Sequence, residues 1–395
     1  MNEKKTIAVV FGTRPDAIKI APVLLALEKE HKHIRVVPIA TAQHREMLDQ
    51  VMKAFDIHPA FDLNIMRSRQ SLASITQRAI VPLDAIFSRI APDMVLAQGD
   101  TTTTFVAGLA AFYRRIPVGH IEAGLRTNDA GNPFPEEMNR RLTSAIASLH
   151  FAPTEAARCA LLREGVDPGK IFVTGNTVID ALRSTVKKKY SFVDPRIRTV
   201  VRHAERIVLV TMHRRESWGE PMKAAACALR RVAAQHPETS FVFPLHRNPV
   251  VRRLLRRELK NLHNVVLCEP LGYADFVNLM ARSFFIITDS GGIQEEAPSL
   301  GKPVLVLRTV TERPEAVAAG AVRLVGLDED TIAGAAEALF SDPRMYLAMS
   351  SAVSPYGDGH AAQRIVHIIK KYFGWMRAPI REFHPLPLAA HFHSL

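Results

Sequence analysis

Cysteine is scarce in this chain, with three in 395 residues, and Cys159, Cys227 and Cys268 stand far apart without metal-ligand or redox spacing. A disulfide scaffold, a zinc ribbon and a CxxC redox centre are thereby excluded, and the three read as reduced structural thiols. No run approaches the ~20 continuous apolar residues that cross a bilayer. The start, Met1 to Lys5 followed by TIAVVF, is too brief for a signal peptide and reads as a first strand, so the expected home is the cytoplasm. The first strand is not followed by GxGxxG, and neither a Walker A lysine motif nor HExxH occurs. These absences argue against nicotinamide, P-loop and zincin chemistry, and neither a cofactor nor a metal is expected.

Little in the composition favours disorder either, because 47% hydrophobic and 23% charged residues are ordinary for a globular protein. The chain exceeds the roughly 250–300 residues at which one core stops growing, so two domains are expected. A formal charge of +12 raises the question of nucleic acid, and residues 252–260, RRLLRRELK, form the densest basic run. That run also has the spacing of an amphipathic helix with Leu254, Leu255 and Leu259 turned inward. No zinc-finger, RRM or KH signature accompanies it, so anionic small molecules fit the charge better than nucleic acid.

Short β-rich apolar runs alternate with helix-length amphipathic segments from end to end, the pattern of parallel α/β layers. Six strands are predicted in the front half, at TIAVVF, IRVVPIA, DMVLAQ, IPVGHI, LHFAPT and IFVTGN. The back half has six more, at RIVLVTM, SFVFPL, NVVLCE, FFIITD, KPVLVL and AVRLVG. The expected fold is α/β, with two Rossmann-like domains whose parallel sheets face a central cleft. The expected boundaries are a first domain over 1–176, a linker and hinge over 177–206, and a second domain over 207–359. A last helix follows over about 360–373, and a Pro- and His-rich tail without metal spacing over 374–395.

Ligands of open parallel sheets bind beyond the carboxyl ends of the strands. In the front half those ends carry Gly12 to Asp16 with Lys19 a turn later, Gly99 to Thr102, and Glu122 to Arg126; in the back half they carry His213 to Glu216, His246, and Ser290-Gly291-Gly292. Taken singly, Asp100 could cap a helix, His246 could hold a loop, and Glu136-Glu137 suit the first turn of a helix. Together, Arg14, Lys19, Arg214 and the SGG turn suit a diphosphate, while Asp100, Glu122 and Glu136 suit proton transfer. The set points to a nucleotide-linked substrate without naming it.

The blocks GTRPDAIKIAP, QGDTTTT, GHIEAGLRT, PFPEEMNRRL, VTGNTVIDAL, HRRES, TDSGGIQEEAPSLGKPVLVLR and TERPEAV, in this order, resemble the non-hydrolysing bacterial UDP-N-acetylglucosamine 2-epimerases from about residue 6 to 370. The resemblance implies GT-B architecture, a C-terminal helix crossing back to the first domain, and a cytoplasmic homodimer. It further implies interconversion of UDP-N-acetylglucosamine and UDP-N-acetylmannosamine without a cofactor, by elimination of UDP to 2-acetamidoglucal and re-addition, feeding cell-surface polysaccharide synthesis. By motif, Asp100, Glu122 and Glu136 would be the catalytic carboxylates and His213 would steady charge near the diphosphate. Arg14, Lys19, Ser290, Gly291 and Gly292 would bind phosphates, Glu296 the ribose and Phe276 the uracil. Gln43, Arg69, Arg214 and His246 would hold an activating second UDP-N-acetylglucosamine.

The sequence departs from the family pattern at Thr309-Val310, Met212, Asp16 and Glu46. Three rival readings fit the same residues: a hydrolysing epimerase, a GT-B glycosyltransferase and a non-catalytic sugar-nucleotide sensor.

Overall fold

The computed structural model describes residues 4–43, 45–67, 70–214 and 217–385. They fall into two compact units. The first runs to Ala181 and resumes from Tyr356 to His384, and the second holds Leu182–Pro355.

The first unit is built on β1 (Lys5–Phe11), β2 (Ile34–Ala40), β3 (Phe61–Asp62), β4 (Met94–Gln98), β5 (Val118–Ile121), β6 (Leu149–Ala152) and β7 (Ile171–Val173). All pair in parallel, in the order β3-β2-β1-β4-β5-β6-β7. The strand order reverses between β1 and β4, so the turns after those strands diverge and leave room for a ligand. Ile7 to Phe11 and Met94 to Ala97 are almost wholly buried, as their continuous apolar sequence requires of strands covered on both faces. On one face Leu83 and Phe87 of helix Leu72–Ile90 pack with Ala107, Ala110 and Ala111 of helix Thr102–Tyr113. The small alanines allow close approach, and each large side chain so buried contributes about 1.5–3 kcal/mol.

The second unit repeats the scheme with β8 (Arg206–Thr211), β9 (Thr239–Pro244), β10 (Val265–Cys268), β11 (Phe285–Thr288), β12 (Val304–Val306) and β13 (Val322–Leu324). Their order is β10-β9-β8-β11-β12-β13, again all parallel. Phe241, Phe243 and Phe285 fill its core with Leu229, Val232 and Ile332. The basic run lies on helix Pro249–Glu258, where Leu255 and the following Leu259 are buried and Leu254 packs on the core.

One expectation needs correction: the first sheet has a seventh strand, β3, which the sequence pattern missed because two residues carry no alternation. Residues 177–206, the expected linker and hinge, contain helices Thr177–Thr185 and Pro195–His203, the second capped by Asp194 with Pro195 in its first turn. Tyr190 and the Val193 amide both donate to Asp275 in the second unit.

The last helix, Ala361–Tyr372, belongs to the first unit. Its N-terminus is capped at a distance by Asp180, which accepts from the Ala361 and Ala362 amides at 3.2 and 2.8 Å. Part of the tail is ordered, since the Phe383 amide donates to the Val173 carbonyl at 2.8 Å and the ring is buried. Among the described residues no helix is long and apolar enough to cross a membrane.

Candidate functional site

In the first unit the turns after β1, β4 and β5 converge. Thr13 caps helix Arg14–Glu28 in a reciprocal capping box with Asp16. That box fixes the turn on which Arg14 and, one helical turn later, Lys19 are mounted. Gly12 is required here: a Cβ at this position would lie 2.4 Å from Thr103 Oγ1 and 2.5 Å from Thr41 Oγ1. Asp16 is buried, accepts from the Thr13 amide at 3.1 Å, and also receives the Thr101 hydroxyl at 3.3 Å. Burial pushes its carboxyl up to about 7 against the Thr13 hydrogen bonds, and the neighbouring charge of Asp100 adds to the rise.

Glu122 follows β5 with a left-handed backbone, φ 64°, which a residue with a side chain seldom adopts. Its carboxylate is buried among donors. Lys19 Nζ and Asn176 Nδ2 (3.0 Å) donate to Oε1, and Gln98 Nε2 donates to Oε2 at 2.7 Å. A Cβ on Gly99 would sit 3.4 Å from Glu122 Oε2 and 3.9 Å from Asp16 Oδ1, so these carboxylates flank one turn. Lys19, assigned to phosphate by the resemblance, has its ammonium on Glu122 in this structure.

Asp100 comes next along that turn. It is partly exposed and accepts from Arg140 Nη1 at 2.7 Å, while Asn139 Nδ2 donates to its carbonyl at 2.9 Å. Both partners lie on helix Glu136–Ile146, whose first residue, Glu136, is half-buried. Its neighbour Glu137 does different work, being wholly buried on Arg140 Nη2 at 2.7 Å and on the Thr127 and Asn128 amides. Burial opposes charge there, but Arg140 and the amides outweigh it and hold the carboxyl at about 2. Glu137 thus anchors the helix that presents Glu136 and Arg140. Gln43 takes the Thr103 hydroxyl at 3.2 Å.

In the second unit the turns after β8, β9 and β11 meet around Asp289. This buried carboxylate accepts from the His213 and Arg214 amides at 2.6 and 2.8 Å, and His213 Nδ1 lies 2.7 Å from Oδ1. Burial works against its charge, yet His213 and the two amides together keep it below the ordinary carboxylate range. His213 is thereby oriented by a carboxylate, with its Nε2 free of that contact. His246 stacks on it, with ring centroids 5.9 Å apart. Burial, with the charge of His213, pushes the His246 imidazole down.

Ser290-Gly291-Gly292 opens the short helix Gly291–Glu296, as the sequence suggested. A Cβ on Gly291 would lie 3.6 Å from Arg313 Cζ and 3.8 Å from Arg214 Nη2, so two guanidiniums flank the glycine. Arg313 is held there by Glu295 at 2.7 Å. Glu296 ends the helix, nearly buried, and Phe276 lies half-buried in the first turn of helix Tyr273–Arg282. Arg69 lies outside the described residues.

Reading strand ends alone missed Gln98, Asn176, Arg140, Glu137, Asp289 and Arg313 as partners. Gln98, Asn176 and Asp289 left a plain signal, each being a polar residue that closes a predicted strand, DMVLAQ, IFVTGN and FFIITD. What the arrangement can do follows from its groups: one unit holds carboxylates ready for proton transfer, and the other offers paired arginines and an oriented histidine to an anion.

The sequence profile of the family described as UDP-N-acetylglucosamine 2-epimerase matches residues 26–370. A UDP-N-acetylglucosamine 2-epimerase of Bacillus subtilis is 52% identical over 375 residues, covering 95% of this chain and 97% of that one. Among solved structures, UDP-GlcNAc 2-epimerase from Neisseria meningitidis bound to UDP-GlcNAc is 50% identical with a TM-score of 0.82, covering 93% of this chain and 100% of that one. An S. aureus protein solved with UDP is 46% identical with a TM-score of 0.85, covering 96% and 100%.

Proposed function

Because this chain belongs to the UDP-N-acetylglucosamine 2-epimerase family, we propose that it inverts C2 of UDP-N-acetylglucosamine to give UDP-N-acetylmannosamine, reversibly and without hydrolysis. The observation that carries the reading is the convergence of Asp100, Glu122, Asp16 and Lys19 on the turns after β1, β4 and β5. C2 is not adjacent to a carbonyl, so removing its proton needs a leaving group at C1. A carboxylate takes the C2 proton as the C1–O bond to UDP breaks and C1=C2 forms. A proton then reaches C2 from the opposite face, and the UDP oxygen rejoins C1. Asp100, Glu122 and Glu136 are the proton-transfer candidates, and His213, oriented by Asp289, steadies charge on the departing diphosphate.

Arg14, Ser290, Gly291 and Gly292 bind the diphosphate in this reading, with Lys19 shared between it and Glu122. Glu296 takes the ribose hydroxyls and Phe276 the uracil. Arg313 joins the phosphate group because of its place beside Gly291. The working form is a homodimer. A second UDP-N-acetylglucosamine activates through Gln43, Arg69, Arg214 and His246, so assays begun from UDP-N-acetylmannosamine should lag until some UDP-N-acetylglucosamine is added.

A proton NMR time course with UDP-N-acetylglucosamine in D2O tests the reaction. Deuterium at C2 with the sugar still on UDP is expected. Free N-acetylmannosamine would make the enzyme hydrolysing, and an unlabelled C2 would leave a transferase or a sensor.

A further inference from the structure

Neither the strand ends nor the family resemblance assigned a role to Asn176. It lies between β7 and helix Thr177–Thr185 and is buried. Its Oδ1 accepts from the Val178 amide at 3.1 Å, which turns its NH2 group toward Glu122 Oε1 at 3.0 Å. Its backbone amide donates to the Tyr356 carbonyl at 2.6 Å. The residues leading to it are gripped by the same returning segment. Phe383 N donates to Val173 O at 2.8 Å, and Arg364 Nη1 donates to Thr174 O at 3.1 Å. A Cβ on Gly175 would stand 3.3 Å from Gly357 Cα. Glu122, on its left-handed backbone, therefore has one partner whose position is set by the C-terminal part of the chain.

We propose that Asn176 is a positioning residue for the epimerisation, fixing the Glu122 carboxylate through Nδ2 and tying it to the C-terminal segment through the Tyr356 carbonyl. This rests on Glu122 being a reacting carboxylate. Lys19 supplies charge to the same oxygen, but its long flexible stem does not fix a direction. The amide of Asn176 does, because its other end is already engaged.

Asn176→Asp is the discriminating variant. It keeps an oxygen for the Val178 amide and replaces the donor facing Glu122 with a second carboxylate oxygen. Two carboxylates at hydrogen-bond distance resist joint ionisation. Turnover should therefore fall about 10- to 100-fold with KM within about threefold, and a limb of the kcat pH profile should move up by about one unit or more. Asn176→Ser keeps a short acceptor for Val178 but cannot reach Glu122, and should lower kcat by about tenfold with a smaller displacement of the limb.

A folded Asp variant with the parental kcat and pH profile overturns the proposal, as does one that changes KM alone. Should the Asp variant fail to fold, parental kcat in a folded Ser variant overturns it. Loss of fold in both assigns Asn176 to the fold instead and also overturns it. The parent is run in D2O alongside: an unlabelled C2 there defeats the epimerase reading, whereas a labelled parent with unaffected variants defeats only this inference.

Discussion

The two units share a strand order and a reversal point, yet the polar residues at their strand ends are put to opposite uses. In the first, carboxylates are surrounded by donors, as Glu122 is by Lys19, Gln98 and Asn176, and Glu137 by Arg140 and two amides. In the second, the buried carboxylate of Asp289 holds His213 and Arg214, groups of positive or neutral character, beside the glycine turn. Under the proposed function, one topology would serve proton transfer in one copy and anion binding in the other. The fold supplies convergent strand ends, and the side chains grafted there decide the chemistry.

The comparison breaks most visibly if carboxylates of the first unit can be neutralised without loss of turnover. Asp100→Asn and Glu136→Gln should each lower kcat by ~10²–10⁴ while UDP affinity, measured by calorimetry, stays near that of the parent. Full activity in either would remove that residue from the proton-transfer set.

Glu137 is one residue away but should behave differently. Replacing it with Ala leaves Arg140 buried beside amides that have lost their acceptor, and should cost about 3–5 kcal/mol of stability in urea unfolding. An unchanged midpoint would mean that helix Glu136–Ile146 is held by something other than this ion pair.

Two binding tests follow. Gly291→Ala places a methyl group between Arg214 and Arg313 at ordinary contact distance, so the fold should survive. UDP affinity should still fall about 10- to 100-fold, as expected for the loss of charge-assisted contacts worth ~1.5–3 kcal/mol. Arg14→Ala should weaken UDP binding by about tenfold, the loss expected when a guanidinium assigned to the diphosphate is removed. Unchanged calorimetric titrations would sink either assignment.

The smallest effect is one of pH. Asp16 titrates at about 7 in the fold against 3.8 ordinarily, so the unfolded chain ionises it first and stability falls as pH rises from about 4 to 7. His120 and His150, buried partners on β5 and β6, are pushed down to about 4 and 3 from 6.5. The unfolded chain takes their protons first, so stability falls as pH drops below 6.5. These trends oppose each other within one unit. Asp16→Asn removes the first, and the variant should lose melting temperature more steeply than the parent between pH 6.5 and 4.5, by about 4 °C. Parallel curves would show that Asp16 titrates as an ordinary carboxylate.

Periodicity and strand-end polarity were enough to read two parallel α/β sheets, twelve of the thirteen strands among the described residues and the SGG turn, because these follow from local pattern and from one rule about where ligands meet such sheets. The two-residue β3 was beyond that reading, since its pairing with β2 is set by the neighbour and not by its own pattern. Only the tertiary structure decided which acid anchors a helix and which stands open, that Lys19 lies on Glu122, that Asp289 orients His213, and that Arg313 flanks Gly291. Glu137 meets partners three to ten positions away, and the other contacts join residues tens of positions to about a hundred apart; no local periodicity encodes which of several charged side chains meets which. Burial then gives each pairing its consequence: once water is excluded, a neighbour's hydrogen bond or charge settles whether a carboxyl sits near 2, as Glu137 does, or near 7, as Asp16 does.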